Sequence, residues 1–200
     1  MRKYRYFWGM MKSQEQWLNK MAKEGWRLIQ TGKLSYDFEP CEPGAYVYRL
    51  EFVAQKSWNE SKKYQIFFEE MGYKVWTKNI NLNWSMGKIR WRPYGEGAGQ
   101  ISTNPGSYNK ELLIVEKEDD GQPFELHTAN ADKAKYYGYM RNVWLGEAGT
   151  FLLLSVVFGI LAKNTVVGSI CLILAVVMAV VVLIFQKQIK KYNDDSKIEE

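Results

Sequence analysis

Hydrophobic positions recur along this chain with a period of two, then 3.6, and after residue 144 the polar phase disappears. Tyr4, Tyr6 and Trp8 alternate with Lys3, Arg5 and Phe7, which predicts a strand over residues 3–8 with one aromatic face. Ser13-Gln14-Glu15-Gln16 has the form of a capping box, in which the serine accepts from the backbone three residues on and the glutamine reaches back. Trp17, Leu18, Met21 and Ala22 follow at helical spacing, and Gly25 is placed to end that helix in a left-handed conformation. Strands are predicted at residues 26–31 and 34–39, around a Gly32-Lys33 turn. After the Cys41-Glu42-Pro43-Gly44 turn, Tyr46, Tyr48, Leu50 and Phe52 share one face of a longer strand. A second helix over residues 61–71 buries Tyr64, Phe67, Phe68 and Met71 and ends at Gly72. Strands at 73–78, 84–91 and 111–117 complete the set, with a Gly-rich loop at 94–109.

Residues 144–162 read WLGEAGTFLLLSVVFGILA, and after Lys163-Asn164-Thr165 residues 166–185 read VVGSICLILAVVMAVVVLIF. At about 1.5 Å of rise per residue each segment approaches the ~30 Å hydrocarbon thickness of a bilayer. The tight polar turn makes the pair a transmembrane helical hairpin. A pair buried in a soluble domain is the competing reading, but so small a domain has too little material to wrap both helices. Charge separates the chain the same way. Of the 22 acidic residues 17 precede Glu147, and so do 22 of the 27 basic ones, whereas Thr150 to Gln186 holds one charge, Lys163. The overall +5 therefore averages two unlike materials. Five prolines, two cysteines and 15% aromatic residues exclude collagen-like, disordered and disulfide-scaffold classes.

Strand, helix, two or three strands, helix, strand is the order of a ferredoxin-like α+β sandwich, an antiparallel sheet with helices on one face. The expected organisation is a ferredoxin-like cytoplasmic domain at 1–128, a juxtamembrane helix at 129–143 capped by Thr128, transmembrane helices at 144–162 and 166–185 within 144–186, and a polar cytoplasmic tail at 187–200. Lys133, Lys135 and Arg141 precede the first span and Lys187, Lys190 and Lys191 follow the second, so the positive-inside rule places both termini in the cytoplasm of a multi-pass cell-membrane protein. Tyr136, Tyr137, Tyr139 and Trp144 form the expected aromatic belt, with Tyr192 near the exit. The basic start MRKYRYFWGMMK lacks an apolar stretch of signal-peptide length.

The opening KYRYFWGMMKSQEQWLNKMAKEGWRL, the later CEPGAYVYRLEF and the FELHT before the membrane helices together resemble a bacterial membrane-associated family known only as domain of unknown function 2812. The resemblance spans most of residues 3–140. It implies hydrophobic helices after the domain and, because members are often encoded beside a PadR-type transcription regulator, a regulatory role with such a protein as partner. It carries no catalytic residues.

The residue inventory excludes several chemistries. His127 is the only histidine and no CxxC pair exists, so a multi-histidine or zinc-ribbon metal site is not expected, and neither is any cofactor. Nothing orients Cys41 and His127 as a nucleophile pair, and the expectation is no enzyme. Gly95-Glu96-Gly97-Ala98-Gly99 lacks the Gly-Lys-Ser/Thr ending of a phosphate loop. Glu116, Glu118, Asp119 and Asp120 read as a solvated turn. Lys88-Ile89-Arg90-Trp91-Arg92 interleaves bases with aromatics, but the glycine-flanked signature of RNA-recognition sheets is missing, so nucleic acid is not the expected partner. The leading expectation is a membrane-anchored cytoplasmic sensor or adaptor that binds a protein partner or a small apolar ligand. Its candidate face is Tyr46, Tyr48 and Trp91 with Arg49 and Arg90 as polar partners. Membrane lipid is the second partner, and homo-oligomerisation stays open. The alternative is an accessory subunit of a membrane transporter, acting through Ser155, Gly159, Gly168 and Ser169 on the hairpin.

Overall fold

The computed structural model describes residues 1–96, 100–103, 110–126 and 130–197. The chain divides into two compact units, Met1–His127 and Thr128–Glu200. The first contains β1 (Arg2–Tyr4), α1 (Met11–Lys23), β2 (Trp26–Thr31), β3 (Ser35–Pro40), β4 (Tyr46–Phe52), α2 (Trp58–Glu70), β5 (Lys74–Lys78), β6 (Trp84–Met86), β7 (Ile89–Trp91), β8 (Ile101–Ser102) and β9 (Leu112–Glu118). The α+β class, antiparallel strands with helices, is as the sequence predicts. Hydrogen bonding divides the strands into three sheets, β1-β3-β2, β4-β9-β5 and β6-β7-β8, where a ferredoxin-like sandwich has one.

The first two sheets meet at β2 and β5, which no backbone ladder joins, and the register of β2 with β3 shifts between Leu28 and Gln30 in a β-bulge. Side chains replace that ladder. The Trp76 indole N–H on β5 donates to the Ile29 carbonyl at 3.0 Å, and the Thr31 hydroxyl donates to the Thr77 carbonyl at 2.9 Å. Lys78, at the end of β5, donates to the carbonyls of Gly32, Lys33 and Ser35 at the β2–β3 turn.

Two apolar clusters hold the unit together. Trp17 on α1 meets Tyr36 and Phe38 on β3 and Phe7 at ring separations of 4.9, 5.6 and 5.5 Å. Leu18 and Ala22 of the same helix are fully buried. On the other side, Phe68 of α2 packs with Val53, Leu113, Val115 and Phe124. β9 runs between the two, with Leu112, Leu113, Ile114 and Val115 all buried, the unbroken apolar run of a strand covered on both faces.

Several boundaries differ from expectation because tertiary turns set them. β1 ends at Tyr4 rather than residue 8 because its partner β3 begins at Ser35, and Trp8 and Gly9 then turn the chain at positive φ (57° and 79°). α1 then starts at Met11, leaving Ser13 inside its first turn and Met10 without a side-chain cap. The capping box is instead Ser57 with Glu60, so α2 begins three residues earlier than predicted and exposes Phe67 and Met71. Gly25 does end α1, at φ 82°, where a Cβ would also meet the Cys41 carbonyl at 3.1 Å. The strand predicted over 84–91 is a hairpin, β6 and β7, turning at Gly87.

The second unit is a helical hairpin. α3 (Asn130–Val156) continues into a π-helical turn, Val157–Leu161, and α4 runs Thr165–Ser196. The predicted juxtamembrane helix is thus continuous with the first span, and the predicted tail is helical to Ser196. Lys163 turns the chain at φ 53°, and the Asn164 side chain accepts from the Val167 N–H at 3.2 Å to cap α4. Both helices are long and apolar enough to cross a membrane, and only 17% of the apolar window of each is buried. Leu153, Ile160, Val166, Ile173 and Leu183 point outward, which a soluble core helix does not do.

Candidate functional site

The outer edge of β4 borders an open groove of the first unit. An edge strand presents unpaired backbone groups, and α1 satisfies three of them. The Asn19 amide donates to the Tyr48 carbonyl at 2.9 Å and its oxygen accepts from the Tyr48 N–H at 2.8 Å, copying the pairing of a neighbouring strand. The Glu15 carboxylate accepts from the Leu50 N–H at 3.1 Å and lies 3.5 Å from the Arg49 guanidinium. Between this edge, α1 and the turn after β9 lies an open groove of about 870 Å³. Tyr46, Arg49 and Phe124 line it, with Lys20 and Lys23 along the helix side.

A buried network fixes the floor. Glu116, 2% exposed, accepts from Arg27 Nε and Nη2 at 2.9 and 2.8 Å and from the Tyr48 hydroxyl at 2.6 Å. That hydroxyl in turn accepts from the Leu28 N–H at 2.9 Å, so it bridges the first and second sheets. Burial, then the neighbouring carboxylate, pushes the Tyr48 phenol well above its ordinary value. The Arg27 guanidinium lies 4.1 Å over the Tyr46 ring, its positive charge reinforced by the bond to Glu116. Burial also pushes the Cys41 thiol up, the opposite of what a thiolate nucleophile needs. His127, the Thr128 cap, most of the Gly95–Gly99 stretch and much of the 94–109 loop lie outside the described residues. Among the described residues no group of three or more metal-ligating side chains comes together.

The structure brings together only part of the predicted face. Tyr46 and Arg49 share the groove, while Tyr48 is completely buried beneath it. Arg90 and Trp91 sit on β7 in the third sheet, Trp91 half exposed and Arg90 lining a different cleft. Glu116 belongs to the strand and not to the solvated turn in which its sequence neighbours Asp119 and Asp120 remain exposed. Sequence reasoning missed Arg27, Glu15, Asn19 and Glu116; the one available signal was an acid inside an otherwise apolar strand.

On the hairpin, Tyr136, Tyr137 and Trp144 are buried. Tyr137 packs against Phe185 and stacks on Tyr192, at 5.9 and 5.6 Å. Tyr139 is half-buried beside Lys135, and Arg141 donates to Gln186 across the pair at 2.9 Å. Lys187, Lys190 and Lys191 are exposed at the far end of α4.

The family described as protein of unknown function (DUF2812) matches residues 10–148 of the chain. No curated protein and no solved structure matches it.

Proposed function

This chain belongs to the DUF2812 family, and we propose that it is a membrane-anchored adaptor whose first unit captures a segment of a partner protein in the groove along β4. The observation that carries the reading is the groove itself, about 870 Å³ and open, with an aromatic floor at Tyr46 and Phe124 and cations at Arg49, Lys20 and Lys23. An aromatic floor under a charged rim is the chemistry of a protein-recognition surface. The exposed apolar faces of α3 and α4 support residence in a bilayer, where tethering raises the local concentration of the domain. Flanking cations at Lys133, Lys135 and Arg141 and at Lys187, Lys190 and Lys191 support two spans with both termini cytoplasmic. The implied partner is a transcription regulator of the PadR type.

A photo-crosslinking residue at Lys23 or Tyr46, introduced into the full chain in native membranes, tests the reading. One discrete protein crosslinked at both positions, and lost in Lys20→Glu/Lys23→Glu, is the expected result. No crosslink there, combined with a discrete crosslink from Leu153 or Ile173 on the hairpin, replaces the adaptor with the transporter-subunit alternative. For the topology, a reporter after Asn164 is expected to be active outside the cell only, and cytoplasmic activity overturns the orientation.

A further inference from the structure

A second cleft, of about 460 Å³, opens where the three sheets meet, between the β2–β3 turn, the end of β5 and strand β7. Four cations line it, Lys33, Lys78, Arg90 and Lys110, and among the described residues no carboxylate does. Like charges in so small a space repel. Neither Lys33 nor Lys110 makes an ion pair among the described residues. The neutral lining includes Asn79, Asn81 and Asn83, of which the Asn81 amide donates to the Lys33 and Asn79 carbonyls and the Asn83 amide to the Glu111 carboxylate.

The cleft is also built. Asn81 holds a positive φ of 63°, pinned by its own amide donating to the Lys33 carbonyl at 2.8 Å and by the Tyr6 hydroxyl donating to the Asn81 carbonyl at 3.3 Å. Lys78 is buried with its ammonium on the three turn carbonyls, so it fixes the backbone that carries Lys33. Burial pulls that ammonium down to about 8, and a bound anion would relieve the cost.

We propose that this cleft binds a phosphate group, presented by a soluble phosphate ester or by a phospholipid headgroup. A guanidinium and several ammoniums suit a multiply charged oxyanion better than a single carboxylate, and the volume fits a small ligand. The site is separate from the β4 groove and goes beyond the adaptor reading.

The test uses the full chain in non-ionic detergent, titrated calorimetrically with pyrophosphate and, separately, with water-soluble dihexanoyl phosphatidylglycerol. Binding of either probe that weakens at least about tenfold in Lys33→Gln/Arg90→Gln/Lys110→Gln is expected, each lost charged contact being worth roughly that factor. The probe that binds names the source. Lys20→Glu/Lys23→Glu in the groove should leave this binding unchanged, which keeps the two proposals apart. Binding of neither probe, or equal binding by a triple variant with the wild-type circular dichroism spectrum, overturns the site. Should the triple variant misfold, protection of Lys33 and Lys110 from amine-reactive labelling by the bound probe decides, and unchanged labelling overturns it.

Discussion

The helical hairpin makes an asymmetric prediction from two glycines that face each other. A Cβ built on Gly168 lies 2.6 Å from the Gly159 Cα, 2.8 Å from its nitrogen and 3.2 Å from the Ser155 carbonyl oxygen. Carbon atoms settle at about 3.5–4.0 Å, so Gly168→Ala must push the helices apart by about 1 Å at this point. The obstacles are backbone atoms, which cannot rotate aside. Overpacking of this kind costs about 1–3 kcal/mol, offset by about 1 kcal/mol from replacing a helical glycine with alanine. In lipid no hydrophobic force draws the separated helices back together, since packing itself drives their association. The reverse substitution is benign. A Cβ on Gly159 meets only the Gly168 Cα, at an ordinary 3.8 Å. Gly168→Ala is therefore expected to lower hairpin stability by up to about 2 kcal/mol while Gly159→Ala, without the overpacking cost, raises it by up to about 1 kcal/mol. Reversible unfolding in mixed micelles, followed by energy transfer between labels on α3 and α4, measures both. Equal effects of the two substitutions would refute the close approach.

Three further outcomes test the first unit. Ser57→Ala is expected to cost about 1 kcal/mol in chemical denaturation followed by circular dichroism, and Ser13→Ala less than about 0.5 kcal/mol, because of these two serines Ser57 alone caps a helix. Tyr48→Phe should cost about 1–3 kcal/mol by the same assay, since it strands the buried Leu28 N–H and removes a donor from Glu116; a loss below about 0.5 kcal/mol would contradict the bridge. Lys78 gives a pH dependence. Burial lowers its pKa from 10.5 to about 8, so the unfolded chain holds the proton more tightly through that window and stability rises with pH across it, by at most about 3 kcal/mol. The penalty is present in full below 8. The raised Cys41 thiol acts with the opposite sign from about 9 and the raised phenols of Tyr36 and Tyr48 from about 10, so the comparison is of the wild-type slope with that of a Lys78 variant between 8 and 10. Lys78→Met should flatten the denaturation midpoint there, and an unchanged slope would sink the assignment.

Elements legible in the sequence are those whose signal is local. The β2–β3 hairpin, the aromatic β4, the end of α1 at Gly25 and the two apolar helices each follow from periodicity or turn residues within a few positions. Ser13 shows where local signals mislead, for a serine with a glutamine three residues on is a cap only if the chain is extended before it, and the Trp8-Gly9 turn decides otherwise. The candidate site was half legible. Tyr46 and Arg49 do share a groove, but Arg90 would join them only on a single continuous sheet, and the strands form three.

Amphipathic period, composition and the clustering of charge act along the chain, and they sufficed for an α+β domain joined to two helices able to cross a membrane. Pairing between distant strands is another matter. The bulge in β2, the side chains of Trp76, Thr31 and Lys78 that stand in for its missing ladder, and the choice of Glu116 as the buried partner of Arg27 and Tyr48 all join residues far apart in sequence. No local propensity encodes such partners. A buried charge survives only where packing supplies its counter-charge and hydrogen bonds, so only the folded chain reveals which of the 22 acids is structural and which clefts are left positive.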